Sequence, residues 1–174
     1  MRHIVYQGRK YKRVILNISG DAPFHEILKK VNGLTIPDSP HDDEHTRYAV
    51  LELLNNSLRA HREQGIRDSI RTEMEADDEV LTITIIDRGG GFDIDGLPYD
   101  IRDSADDIDT NSGRFQEYRE ANQYKRFGMG LLVARRLFPE FDVSFYDESG
   151  TDVPYAPGSV VGTRIELGLR WNNG

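Results

Sequence analysis

Glu52 and Asn56 stand four residues apart in the stretch Leu51 to His61. They are the side chains whose types and spacing most directly suggest chemistry. On a helix, positions i and i+4 share a face, so a carboxylate and a carboxamide would project together. The plainer reading is structural: two polar groups beside the apolar run Val50, Leu51, Leu53, Leu54 and Leu58, each with a protein partner. The sharper reading is a metal and nucleotide site.

Three glycine motifs further on bear on that choice. Asp87, Gly89 and Gly91 form Asp-x-Gly-x-Gly, which alone describes a tight turn. Gly128-Met129-Gly130 precedes a helical pattern, where free backbone amides can cradle phosphate or glycine can simply permit close packing. Gly162-Thr163 inside the last strand could mark only a bulge. Lys125 and Arg126 stand just before the second motif, and Arg114 upstream of it, as cations able to neutralise a terminal phosphate or as solvated charges. Arg88 inside the first motif is expected to point outwards. His41 and His45 are four apart, but beside Asp42 and Asp43 they read as solvated loop residues, and no histidine spacing makes a zinc site.

The elements that must position these groups follow from pattern. Tyr11 to Ile18 alternates as a strand. Phe24, Ile27, Leu28 and Val31 have helical spacing, with Asp21 as the expected cap and Asn32-Gly33 as the stop. Thr35 to Glu44 is a loop into the long helix that carries Glu52 and Asn56, capped by Asp42 or Asp43. Ile70 to Ala76 and Val80 to Ile86 read as a hairpin across Asp77-Asp78, and the second, more apolar strand belongs in the middle of a sheet. It delivers the chain directly into Asp87. Asp93 to Lys125 is rich in carboxylates and poor in apolar periodicity, and reads as a long mobile excursion, which at that length inside a compact domain is a functional lid or a disordered segment. Leu131 to Phe138 is a helix opened by the glycine loop. Phe141 to Tyr146 and Ser159 to Leu169 are strands separated by a turn region from Gly150 to Gly158.

Composition narrows the class. The 174 residues fit one domain, 1–174, and at 37% hydrophobic with a net charge of -8 the chain reads as a folded acidic protein. That charge disfavours generic nucleic-acid binding. With no cysteine there is no thiol or disulfide chemistry, which suits a cytoplasmic address. No apolar run reaches the roughly 18–20 residues a membrane span requires, so no direct membrane association is expected.

The order of parts is more specific than any one of them: a helix with Glu-x-x-x-Asn, a buried strand ending in Asp-x-Gly-x-Gly, a long lid, Gly-x-Gly at a helix start, and Gly-Thr in a terminal strand. In this it resembles the Bergerat-fold (GHKL) ATPases, the superfamily of type II topoisomerases, heat-shock chaperones, histidine kinases and mismatch-repair ATPases, over roughly residues 10–170. The resemblance implies an α/β (α+β) two-layer sandwich, with a mixed, mostly antiparallel sheet, helices on one face and an ATP lid at approximately 94–127. It implies ATP and magnesium as ligands. Asn56 matches the magnesium-holding amide and Glu52 the general base. Asp87 matches the carboxylate that receives the adenine amino group, and Thr163 a hydroxyl that helps fix adenine. Gly89 and Gly91 match backbone lying close to the nucleotide. Gly128 and Gly130 match the lid hinge and phosphate-binding amides, with Lys125 and Arg126 beside them. Asn55 and Ser57 are read as neighbours without a role.

Within that superfamily, Arg126-Phe127-Gly128-Met129-Gly130-Leu131, the glutamate at position 52 and the single-domain length resemble the anti-sigma serine kinases. The resemblance implies a protein serine as nucleophile, a sigma factor and an anti-sigma-factor antagonist as partners in a partner-switching circuit, and leaves homodimerisation open. Ser57-Leu58-Arg59-Ala60-His61 departs from that family's Ala-x-x-His-Gly by displacing the histidine one position. Two other readings stand beside it: a nucleotide-controlled binding module with little turnover, and a stand-alone catalytic domain of a sensor histidine kinase. His25-Glu26 is not itself a phosphoacceptor motif, because no proline follows and no second dimerisation helix fits before Tyr48.

Overall fold

The computed structural model describes residues 1–98, 100–101 and 127–172, with the backbone alone at 127–129. Nine strands and three helices are present among them: β1 (Ile4–Tyr6), β2 (Arg9–Tyr11), β3 (Arg13–Ile18), α1 (Phe24–Asn32), β4 (Leu34–Thr35), α2 (Asp43–Gln64), β5 (Ile70–Ala76), β6 (Val80–Ile86), α3 (Phe127–Leu137), β7 (Glu140–Tyr146), β8 (Asp152–Val153) and β9 (Gly162–Arg170).

Strict alternation in β3, β5 and β6 puts one set of side chains on one face of a six-stranded sheet of order β3-β5-β6-β9-β7-β8. Every pairing in it is antiparallel. Register aligns Val14, Met74, Ile83, Leu167 and Phe141 in one row and Leu16, Thr72, Ile85, Ile165 and Val143 in the next. These rows form the floor of the core. The opposite face carries Arg13, Arg71, Glu73 and Glu75, with Arg71 paired to Glu73 at 3.1 Å. The fold is therefore a two-layer α/β sandwich, with the helices on the apolar side. As expected, β6 is central, flanked by β5 and β9.

The core-facing side of α2 contributes Ala49, Val50, Leu53, Leu54 and Leu58, all buried. The helix packs against α1 on one side and α3 on the other. Gly65 ends it with φ 68°, a left-handed conformation that glycine adopts without a Cβ clash. At its start Asp42 occupies the cap position without a side-chain capping bond, and Asp43 instead accepts the Ile36 N–H at 2.8 Å.

Several expectations are corrected. The strand read as Tyr11 to Ile18 is two strands in two sheets: Tyr11 closes β2, and β3 starts at Arg13. The three-stranded sheet β2-β1-β4 was missed because its hairpin turns on Gln7-Gly8, both at positive φ, a weaker signal than Asn-Gly. Pro23, not Asp21, caps α1, and Asp21 accepts a hydrogen bond from the Ser19 hydroxyl. Gly128 and Gly130 lie inside the first turn of α3 rather than in a loop before it. The short edge strand β8 falls within the segment read as turn. Of the expected lid, only residues 94–98, 100, 101 and 127 are described; Leu97 and Ile101 are buried in the core, which anchors the start of the segment. Among the described residues no helix is long and apolar enough to cross a membrane.

Candidate nucleotide site

The site forms where α2 runs beneath the turn that follows β6. Asp87 leaves the central strand buried, at 7% exposure, and its carboxylate is held from two elements and its own turn. Oδ1 accepts the Gly89 N–H at 2.9 Å and the Thr163 N–H of β9 at 3.3 Å. Oδ2 accepts the Ser57 hydroxyl of α2 at 2.6 Å. A carboxylate offers about four acceptor positions, so one direction on Oδ2 stays open for a donor. The backbone of Asp87 is fixed as well: its N–H donates to Thr163 O at 3.0 Å and its carbonyl accepts the Tyr146 phenol. Burial, and secondly the Asp87 charge, raise the Tyr146 pKa, which keeps that phenol a donor.

Successive turns of α2 grip the three residues of the turn. Ser57 holds the Asp87 side chain, His61 Nε2 accepts the Arg88 N–H at 2.9 Å, and Gln64 Nε2 donates to the Gly89 carbonyl at 2.6 Å. Close approach explains the glycines here. A Cβ at Gly89 would lie 2.6 Å from Ala60 Cβ, and one at Gly162 would lie 1.8 Å from the Asp87 carbonyl oxygen. Gly91, at φ 75°, needs its freedom for the turn itself. The Arg88 side chain turns outward to Asp68, Nε to Oδ2, at 2.9 Å.

Between these parts lies a small cleft. Ala60, Phe92, Leu131 and Ile165 wall it, and the polar groups reaching it come from Asn56, Ser57, Asp87 and Thr163. Apolar walls with a few convergent polar groups suit a flat heteroaromatic ring.

One turn back on α2, Asn56 is 7% exposed and Glu52 6%. Their neighbour is Gly130 of α3, where a Cβ would lie 2.9 Å from Asn56 Nδ2 and 3.6 Å from Glu52 Oε2. Asn56 Oδ1 accepts Arg59 Nη2 at 2.9 Å, while its Nδ2 is buried without a hydrogen-bond partner among the described residues. A buried amide N–H₂ lacking a protein acceptor fits a phosphate oxygen, and the second lone pair of Oδ1 fits a hard cation. The donor set is thus compatible with a magnesium–phosphate group. Among the described residues no group of three or more His, Cys, Asp or Glu side chains could hold a metal by itself.

The structure therefore brings Asn56, Asp87, Gly89, Gly91 and Thr163 to one cleft, with Glu52 and Gly130 adjoining it. Gly128 is described only as backbone of α3, and Lys125, Arg126 and Arg114 lie outside the described residues. Ser57, read as a bystander, is a direct partner of Asp87; Arg59, His61, Gln64 and Tyr146 were also missed. Only Ser57, His61 and Gln64 left a sequence signal, their i, i+4, i+7 spacing. His41, considered beside His45 for metal, instead donates Nε2–H to the Leu137 carbonyl at 2.6 Å, at the end of α3.

Residues 39–154, two thirds of the chain, match the family model of the histidine kinase-like ATPase domain. No curated protein matches the chain. The chain belongs to the histidine kinase-like ATPase domain family and is an ATP-binding protein of that family.

Proposed function

We propose that this member of the histidine kinase-like ATPase family is a magnesium-dependent protein serine/threonine kinase of the anti-sigma type, acting in a partner-switching circuit. The observation that carries the kinase reading is the pairing of Glu52 and Asn56 on one buried face of α2, directly against Gly130 at the start of α3. The open acceptor direction on Asp87 Oδ2 suits the amino group of adenine and would repel a base that presents a carbonyl there. With the base in the cleft, the phosphates would run towards Asn56 and Arg59, whose amide and guanidinium supply donors.

Magnesium, when bound, would offset the charge of the phosphates, with Asn56 Oδ1 as its protein ligand. The remaining chemistry falls to Glu52. Its carboxylate would accept the proton of a serine hydroxyl on the partner as the hydroxyl oxygen bonds to the γ-phosphorus and the bond to the β,γ-bridging oxygen breaks, releasing ADP. Burial of Glu52 beside α3 supports a group shielded from competing water. A sigma factor and its antagonist are the proposed partners, and a cytoplasmic address is proposed with them.

Incubation with labelled ATP, magnesium and candidate antagonist proteins tests the reading. Acid-stable phosphoserine that disappears in Glu52→Ala supports it. Tight ATP binding without phosphoserine, together with partner binding that Glu52→Ala leaves unchanged, would favour a nucleotide-controlled binding module. Acid-labile phosphate on the partner would favour a stand-alone catalytic domain of a sensor kinase.

A further inference from the structure

His61 is fully buried on α2, and both of its ring nitrogens are committed. Nε2 lies 2.9 Å from the backbone nitrogen of Arg88, which can only donate. Nδ1 lies 3.1 Å from the carbonyl oxygen of Asp68, which can only accept. The ring that satisfies both is neutral, with its proton on Nδ1 and a bare Nε2. A second proton would set one N–H against another, at the centre of the turn that carries Asp87.

Three segments meet at that ring: α2, the loop before β5 through Asp68, and the turn after β6 through Arg88. The flanking bonds from Ser57 and Gln64 grip the residues on either side, so His61 supplies the middle of three contacts to Asp87, Arg88 and Gly89. We propose that His61 is a positioning residue for the nucleotide site and makes nucleotide binding proton-dependent: the neutral ring holds the turn, and protonation at Nε2 releases it. The inference rests on the cleft at Asp87 being the nucleotide site.

The charged surroundings oppose one another. From the loop, Asp68 sets its carboxylate on Arg88 Nε at 2.9 Å, and Glu148 lies 4.0 Å from Arg88 Nη2. From the turn come the Asp87 carboxylate and the Arg88 guanidinium, and from β7 the Tyr146 phenol on the Asp87 carbonyl. On α2 itself, Arg62 turns away to the Ala22 carbonyl at 3.1 Å. None of these charged groups replaces the acceptor that Arg88 N–H loses when Nε2 is protonated.

Calorimetry of magnesium-ATP binding between about pH 5.5 and 7.5 tests the inference in wild type, His61→Gln and His61→Leu. Glutamine offers Oε1 near the position of Nε2 and takes no proton in this range. The affinity of wild type is expected to fall by about tenfold per pH unit once the ring titrates, the slope of one linked proton, beyond any change shared with His61→Gln. That shared change includes titration of the nucleotide's own phosphate. His61→Gln should also bind more tightly than His61→Leu at the upper end, the rescue that an acceptor role requires. Coincident pH profiles for wild type and His61→Gln, or glutamine no better than leucine, would overturn the inference while leaving the nucleotide site standing. No binding by wild type at any pH would instead remove the nucleotide reading and the inference with it. Ring nitrogen shifts in the free protein give a second readout: an Nδ1–H neutral ring at about pH 7.5 is expected, and an Nε2–H tautomer would overturn the assignment.

Discussion

Alanine at position 130 would separate what the cleft needs from what the fold needs. Gly130 sits in the first turn of α3, and the added methyl would come 2.9 Å from Asn56 Nδ2, 3.4 Å from Glu52 Cβ and 3.6 Å from Glu52 Oε2. Only the first distance is too short, and it falls on the end of a side chain that can rotate. Alanine gains about 0.8–1.0 kcal/mol over glycine inside a helix, while overpacking costs about 1–3 kcal/mol, with the lower end expected where a side-chain tip can yield. The two nearly cancel, so urea denaturation should report a change of about 1 kcal/mol or less. Binding has no such offset. In the proposed site, rotating the Asn56 amide would withdraw the proposed magnesium ligand and a charge-assisted donor worth about 1.5–3 kcal/mol, which is roughly 10- to 150-fold in magnesium-ATP affinity. The assay is calorimetry with magnesium-ATP beside urea unfolding of the same preparations. An affinity within about twofold of wild type, a difference of only about 0.4 kcal/mol, would refute the placement of Asn56 at the phosphate end.

Further outcomes concern the frame that holds the site. The Thr72 hydroxyl is fully buried in the row between Leu16 and Ile85 and has no partner among the described residues. Thr72→Val keeps the shape and removes the stranded hydroxyl, so stability should rise by about 1 kcal/mol, or about 2–4 °C in melting temperature; a lower melting temperature would contradict this. Asp77 accepts the N–H groups of Val80 and Glu79 at 2.7 Å each in the β5–β6 turn, and these bonds, Val80 first, hold its pKa below the ordinary value. A depressed carboxylate stabilises the fold above its unfolded pKa, and that contribution is lost as pH falls through the folded one. Wild type should therefore lose stability below about pH 4 more steeply than Asp77→Asn. Denaturant midpoints at two acidic pH values check the difference, and parallel slopes would count against it.

Sequence patterns carried the long elements because their burial is periodic. α2, the β5–β6 hairpin and the central position of β6 all follow from apolar spacing. The glycine and acidic positions of the cleft were legible because a turn, a helix and a strand recur there in a recognisable order. Short strands were not, since β1, β2, β4 and β8 are two or three residues each and too short for alternation to register. The partners of Asp87 were hidden for a different reason. Tyr146 reaches it across a sheet from 59 positions away, and the bond from Ser57 depends on which side of α2 faces the turn. A side chain one position beyond Asn56 lies about 100° further round the helix, close enough for both to touch the same cleft.

The claim on which the rest depends is that the cleft at Asp87 receives an adenine amino group. Calorimetry of ATP and GTP with wild type and Asp87→Asn tests it most directly. In the variant, an amide oxygen kept on Gly89 N–H and Thr163 N–H turns the amide nitrogen towards the open direction on Oδ2, so a donor would face the adenine donor. Wild type is expected to bind ATP in preference to GTP, and Asp87→Asn to lose ATP by tenfold or more, about 1.4 kcal/mol. Equal affinity of wild type for ATP and GTP, or undiminished ATP binding by the variant, would contradict the assignment of this cleft.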